Sequence, residues 1–126
     1  MEPTYYDLHI SLSYEPDRGF DPTVTLANDF VATINGYELF NARLPCAPSI
    51  GKADLDRVVT VGGGLHRIMV IERSTGNKVE INLEVRTETW ITIYAWGKQN
   101  SSNHPRFSFY LDAKPPDFSV HAPPTT

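Results

Sequence analysis

The run Val61-Gly62-Gly63-Gly64-Leu65-His66 sets three glycines just ahead of a histidine, a pattern that could cradle a phosphate, line an oxyanion hole or turn the chain. A phosphate loop works by delivering backbone N–H groups at the start of a helix. Here Gly64 is followed by His66-Arg67-Ile68-Met69-Val70-Ile71, whose β-branched residues suit a strand. An oxyanion hole needs a nucleophile on a strand-to-helix turn, and no Gly-x-Ser-x-Gly occurs. The glycines are therefore expected to supply positive φ for a reversal between two strands.

The other reactive side chains are scattered. His9, His66, His104 and His121 are not spaced as metal ligands, and neither a His-Glu-x-x-His helix nor a carboxylate-rich calcium loop occurs. The reading calls for no metal, no cofactor and no catalytic residue. Cys46 lies between prolines with no flanking cation to lower its pKa, so a semi-buried, unreactive thiol is expected rather than a nucleophile. As the single cysteine it also allows no disulfide within the chain. Glu80 and Glu84 share a face of one strand, which is ordinary solubilising chemistry.

The aromatic residues carry more information. In Thr89–Trp96, Trp90, Tyr94 and Trp96 share one parity, while Ile91, Ile93 and Ala95 take the other. A strand apolar on both faces must be covered on both sides or leave a large patch. Its cover could be the proline-rich tail with Phe118, a second subunit, or a ligand. Trp and Tyr combine a rigid face with a polar tip, which serves both protein interfaces and sugar stacking. Trp90, Tyr94, Trp96 and Tyr37 are accordingly the candidate binding residues. The competing reading places the tryptophans in the core.

The elements that position these residues follow from period-two alternation. Tyr6, Leu8, Ile10, Leu12 and Tyr14 point one way, and Asp7, His9, Ser11 and Ser13 the other, which predicts a strand with one packed and one wet face. Extended segments are expected at Thr23–Leu26 and Phe30–Ile34, with Ala27-Asn28-Asp29 between them. Asn35-Gly36 joins Phe30–Ile34 to Tyr37–Phe40 as a type I′ hairpin, because both residues tolerate positive φ. Pro45 to Lys52 is a loop, and Ala53–Arg57 is expected to form at most one helical turn. Four strands then follow, at Val58–Val61, Leu65–Arg73, Lys78–Arg86 and Thr89–Trp96. A polar loop from Gly97 leads to a last strand, Arg106–Leu111. No apolar spacing of helical period persists, so the fold class is all-β: an antiparallel sandwich of about seven to nine strands, immunoglobulin- or transthyretin-like or jelly-roll.

With 126 residues the chain has room for one domain able to bury roughly two-thirds of its unfolded surface. Residues 1–112 are read as the sandwich and 113–126 as a proline-rich tail. A net charge of −4, with eleven scattered basic residues, argues against nucleic acid. No apolar run reaches the length of a membrane span and no leader is visible, so a cytoplasmic protein is expected, or a domain cut from an exported parent.

Residues 30–96 run as strand, Asn35-Gly36 turn, strand, proline-containing loop, valine-rich strand and Gly64-Leu65-His66-Arg67-Ile68-Met69-Val70. This order resembles the PEGA and transthyretin-like sandwich modules of bacterial proteins, without their Pro-Glu-Gly-Ala tetrapeptide and with an extra N-terminal strand and a tail. The resemblance implies a module that binds, spaces or assembles; Gly64 and His66 match structural positions, and no functional residue carries over. The expected function is non-catalytic: protein–protein contact, including self-association into a homo-oligomer. Carbohydrate binding through exposed Trp and Tyr is the alternative.

Overall fold

The computed structural model describes residues 4–21, 23, 25–48, 53–97 and 106–116. They form eight strands: β1 (Tyr5–Pro16), β2 (Ala27–Ile34), β3 (Tyr37–Pro45), β4 (Leu55–Gly62), β5 (Gly64–Glu72), β6 (Lys78–Val85), β7 (Thr89–Gly97) and β8 (Arg106–Asp112). Two four-stranded sheets result, one ordered β4-β1-β7-β8 and the other β3-β2-β5-β6. The chain is an all-β, largely antiparallel sandwich. Among the described residues there is no helix, and so none long and apolar enough to cross a membrane.

One ladder is parallel. β1 runs alongside β7 from Leu8↔Thr89 to Pro16↔Gly97, while its other edge pairs antiparallel with β4 from Tyr5↔Gly62 to Leu12↔Leu55. Both β1 and β7 are interior strands, and a strand with two neighbours and a covered face can be apolar throughout. This explains the two-faced character of Thr89–Gly97. Leu8, Ile10, Leu12 and Tyr14 of β1, with Ile91, Ile93 and Ala95 of β7, meet Phe30 and Ala32 of β2 and Ile68 and Val70 of β5 in the core.

The hairpin forms as expected. Asn35 and Gly36 take φ of 50° and 87°, the left-handed values that a type I′ turn requires. The β2–β3 register then slips between Ala32 and Thr33, where Leu39 is the extra residue of a bulge that leaves Phe40 buried. β6 alternates cleanly, with Ile81 and Val85 buried and Glu80, Asn82 and Glu84 exposed.

Two expected elements differ. Of Thr23–Leu26, the described residues Thr23, Thr25 and Leu26 lie in no strand, and β2 instead begins at Ala27 and runs through Asn28-Asp29. Asn28 is held there because its side chain is bonded on both sides: Tyr14 Oη donates to its Oδ1 at 2.6 Å, and its Nδ2 donates to Glu72 Oε1 at 3.0 Å. The helical turn at Ala53–Arg57 is replaced by the start of β4, since pairing of Leu55 with Leu12 offers ladder bonds that a lone turn cannot match. Beyond that end of β4, Asp54 Oδ2 accepts from the Tyr14 amide at 2.7 Å.

The Tyr14–Asn28–Glu72 chain ties the sheets together. Glu72 has no exposed surface, and its carboxylate also accepts from the amides of Ser74 (3.0 Å) and Thr75 (2.8 Å) and from both their hydroxyls. Burial alone would push its pKa up; the donors from Ser74, Thr75 and Asn28 outweigh that and hold it at about 2. Burial, first, and the charges of Cys46 and Glu72 keep the Tyr14 hydroxyl protonated far above its usual range. At the end of β7, a Cβ on Gly97 would lie 2.7 Å from Cys46 Sγ and 2.8 Å from the Tyr14 ring, so only glycine lets these groups close on the strand.

Candidate functional site

The glycine run sits where the chain passes from one sheet to the other. Gly62 ends β4, Gly63 bends, and Gly64 opens β5 at φ 120°. The expected turning role is met, although the strands it links belong to different sheets rather than to one hairpin. His66 is fixed on both nitrogens. Asn35 Oδ1 accepts from the Arg67 amide at 2.9 Å, which orients that side chain so that its Nδ2 faces His66 Nδ1 at 2.9 Å. His66 Nε2 lies 2.7 Å from the Gly62 carbonyl, which can only accept. The imidazole therefore carries its proton on Nε2 and acts as a cross-brace, with no lone pair left for chemistry. An open pocket of about 350 Å³ beside it is lined by Tyr6, Gly63, Gly64, Glu84, Val85 and Arg86. Its charged members are exposed and already ion-paired with each other.

Cys46 is buried, and desolvation above all pushes its thiol up to about 12, against a lowering backbone hydrogen bond from Gly97 and with further upward contributions from Glu15, Asp54 and Asp17. A thiol of this kind is not a nucleophile at neutral pH. Among the described residues no group of three or more His, Cys, Asp or Glu could hold a metal ion. His104, His121 and Phe118 lie outside the described residues.

Trp90, Tyr94 and Trp96 all point to the outer face of the β4-β1-β7-β8 sheet, while Ile91 and Ile93 fill the core. Neither tryptophan belongs to the sandwich interior. Trp90, half-buried, stacks on His9 at 4.4 Å between ring centroids and 9° between planes, and His9 Nε2 lies 2.9 Å from Glu88. Tyr94 stacks on Trp96 at 5.2 Å and meets the edge of Tyr110 at 5.9 Å, while Trp96 Nε1 donates to Ser108 Oγ at 2.9 Å. Tyr94 is 5% exposed and Trp96 2%, so these two rings offer no open platform. Burial first, then Glu15 and Tyr110, push the Tyr94 hydroxyl up to about 12. Tyr37 is 78% exposed but stands at the hairpin tip in the opposite sheet. Three of the four candidates thus share one face, where Tyr94 and Trp96 meet and Trp90 stacks separately on His9, and the fourth lies elsewhere.

The outer face of β1 is wet as expected at Asp7, which is exposed, and partly so at His9, but not beyond. Ser11, Ser13 and Glu15 are buried, because these side chains align rung by rung with Thr92, Tyr94 and Trp96 of β7. Ser11 Oγ donates to Asp56 Oδ1 at 3.2 Å, and buried Asp17 accepts from Arg106 Nη2 at 3.1 and 3.2 Å. The result is a closed polar and aromatic layer, its ion pair joining the end of β1 to β8.

The open feature lies next to it. β8 is an edge strand, and among the described residues nothing pairs with its outer side. Phe109, Tyr110 and Leu111 are 41%, 54% and 47% exposed. Between Arg106 and Asp112 the strand carries no charge, whereas β3 has Glu38 and Arg43, β4 has Asp56 and Arg57, and β6 has Lys78, Glu80 and Glu84. Charges on edge strands discourage pairing with other chains, and in β8 they stand only at the two ends, Arg106 and Asp112. Sequence reading identified this strand but not these residues, although apolar side chains on both parities, the signal noticed in β7, recur at Phe107, Phe109, Tyr110 and Leu111. Comparison with protein-family models, with curated proteins and with solved structures returns no match.

Proposed function

We propose that this chain is a non-catalytic sandwich module that works through protein–protein contact, with the outer edge of β8 as its contact surface. The observation that carries the reading is the run Phe109-Tyr110-Leu111, uncharged and exposed on an edge with which nothing pairs among the described residues. Such an edge presents a row of free backbone donors and acceptors flanked by apolar side chains, the combination used when an added strand extends a sheet. The inert Cys46 and the fully engaged His66 support a binding role over a catalytic one. The resemblance of residues 30–96 to PEGA and transthyretin-like modules adds to it.

The test is chemical cross-linking of the tagged chain in an extract of cells expressing it, wild type beside Leu111→Lys. A cross-linked species, of the chain with itself or with another protein, is expected for wild type and lost in the variant. A pattern unchanged by the substitution would refute β8 as the contact surface.

A further inference from the structure

We infer that Asn35 is a modification site: a deamidation site that its bonds to β5 keep closed for as long as the β2–β3 hairpin stays seated. Asn35-Gly36 is the one Asn-Gly step in the sequence. Asparagine is a thermolabile residue, and a following glycine leaves the next backbone amide without a side chain to screen it. Both residues are exposed, and a Cβ added to Gly36 would meet nothing within 4 Å, so water and base reach this amide. The chemistry balances without a cofactor. Gly36 N gives up its proton and attacks Asn35 Cγ, forming a C–N bond; the Cγ–Nδ2 bond breaks and ammonia leaves with that proton. Water then opens the five-membered imide at either carbonyl. One opening gives aspartate, and the other gives isoaspartate, whose backbone runs through the side-chain carbon.

Three bonds oppose the first step. Asn35 N donates to the Arg67 carbonyl at 2.8 Å, the Arg67 amide donates to Asn35 Oδ1 at 2.9 Å, and Asn35 Nδ2 faces His66 Nδ1 at 2.9 Å. The side-chain carbonyl thus stands in for a backbone carbonyl and adds a rung beyond Ile34↔Ile68. Ring closure carries Cγ onto Gly36 N and takes both ends of the carboxamide out of these bonds. His66 withholds help as well. Its proton sits on Nε2, directed to Gly62, so Nδ1 has none to hand to the departing Nδ2. Refolding does not undo the product: aspartate at position 35 would set a carboxylate oxygen against the Nδ1 lone pair, and isoaspartate lengthens the two-residue turn by one backbone atom.

The test follows Asn35 in the full chain by peptide mapping and mass spectrometry during incubation at mildly alkaline pH. Native wild type is expected to convert roughly a hundred-fold more slowly than the same chain unfolded in urea, because only the opened hairpin reacts. Rates of the same order would overturn the protection. His66→Phe removes one of the bonds and should speed conversion in the folded chain roughly five-fold, the worth of one hydrogen bond. Glu72→Gln weakens the sandwich at the other end of β5 and should leave the rate near that of wild type. Acceleration by Glu72→Gln as large as by His66→Phe would assign conversion to global unfolding and overturn the inference, as would a folded His66→Phe that converts no faster than wild type. Hydrogen exchange of the Arg67 amide needs no variant to fold. Its protection factor should match the slowing of Asn35 conversion, since one opening frees both, and a mismatch beyond roughly ten-fold would overturn the inference.

Discussion

A carboxylate without exposed surface is tolerated only when hydrogen bonds replace the water it has lost, and Glu72 meets that condition with donors from Asn28, Ser74 and Thr75. Its pKa falls from 4.5 to about 2, so the folded state binds this proton less readily than the unfolded chain does. The sign follows: the stabilisation is fully present above about pH 4.5 and drains away as pH drops toward 2. A shift of that size corresponds to about 3 kcal/mol as an upper figure. Urea titrations at pH 7 and pH 3 check this. Glu72→Gln should lose on the order of 2–3 kcal/mol at pH 7 and show little further loss on acidification, while wild type becomes markedly weaker at pH 3. A variant as acid-sensitive as wild type would assign the acid response to other groups.

At the scale of elements, the β2–β3 hairpin separates two contributions of one side chain. Asn35 takes a positive φ and also bonds the Arg67 amide and His66, so it both makes the turn and pins it to β5. Asn35→Gly keeps the turn and removes the pins, with an expected loss of about 0.5–1.5 kcal/mol. Asn35→Ala removes the pins and forces a Cβ into the left-handed region, adding about 1 kcal/mol. Thermal or urea melts of the two variants check the order, and Ala no worse than Gly would contradict it. This hairpin was legible because Asn-Gly between alternating runs is a local signal, and β6 was legible for the same reason. The place of Asn28 inside β2 was not, since its partners Tyr14 and Glu72 lie fourteen and forty-four residues away. Nor was the covering of β1's outer face from Ser11 onward: small serines read as solvent-facing until the aromatics of β7 are known to stand beside them.

For the whole molecule, sandwich class was legible from period two, but pairing order was not, because alternation says which way a side chain points and nothing about which strand lies next door. The edge position of β8, and with it the candidate contact surface, is a property of that order. The order also sets how the chain finds its fold. β1 can complete neither ladder until residues 55–62 and 89–97 have arrived. Contacts of such separation slow folding, so refolding followed by Trp fluorescence is expected to take milliseconds to seconds, and a sub-millisecond main phase would contradict it. The parallel run of β1 beside β7 has a geometric outcome as well. Since β8 returns antiparallel, Asp112 shares a rung with Trp90 and His9, and the entry and exit of the sandwich emerge side by side, two strand spacings or roughly 10 Å apart. A unit whose ends leave together can be spliced into a loop of a host protein, or have those ends joined and new ones opened elsewhere, without disturbing a single rung.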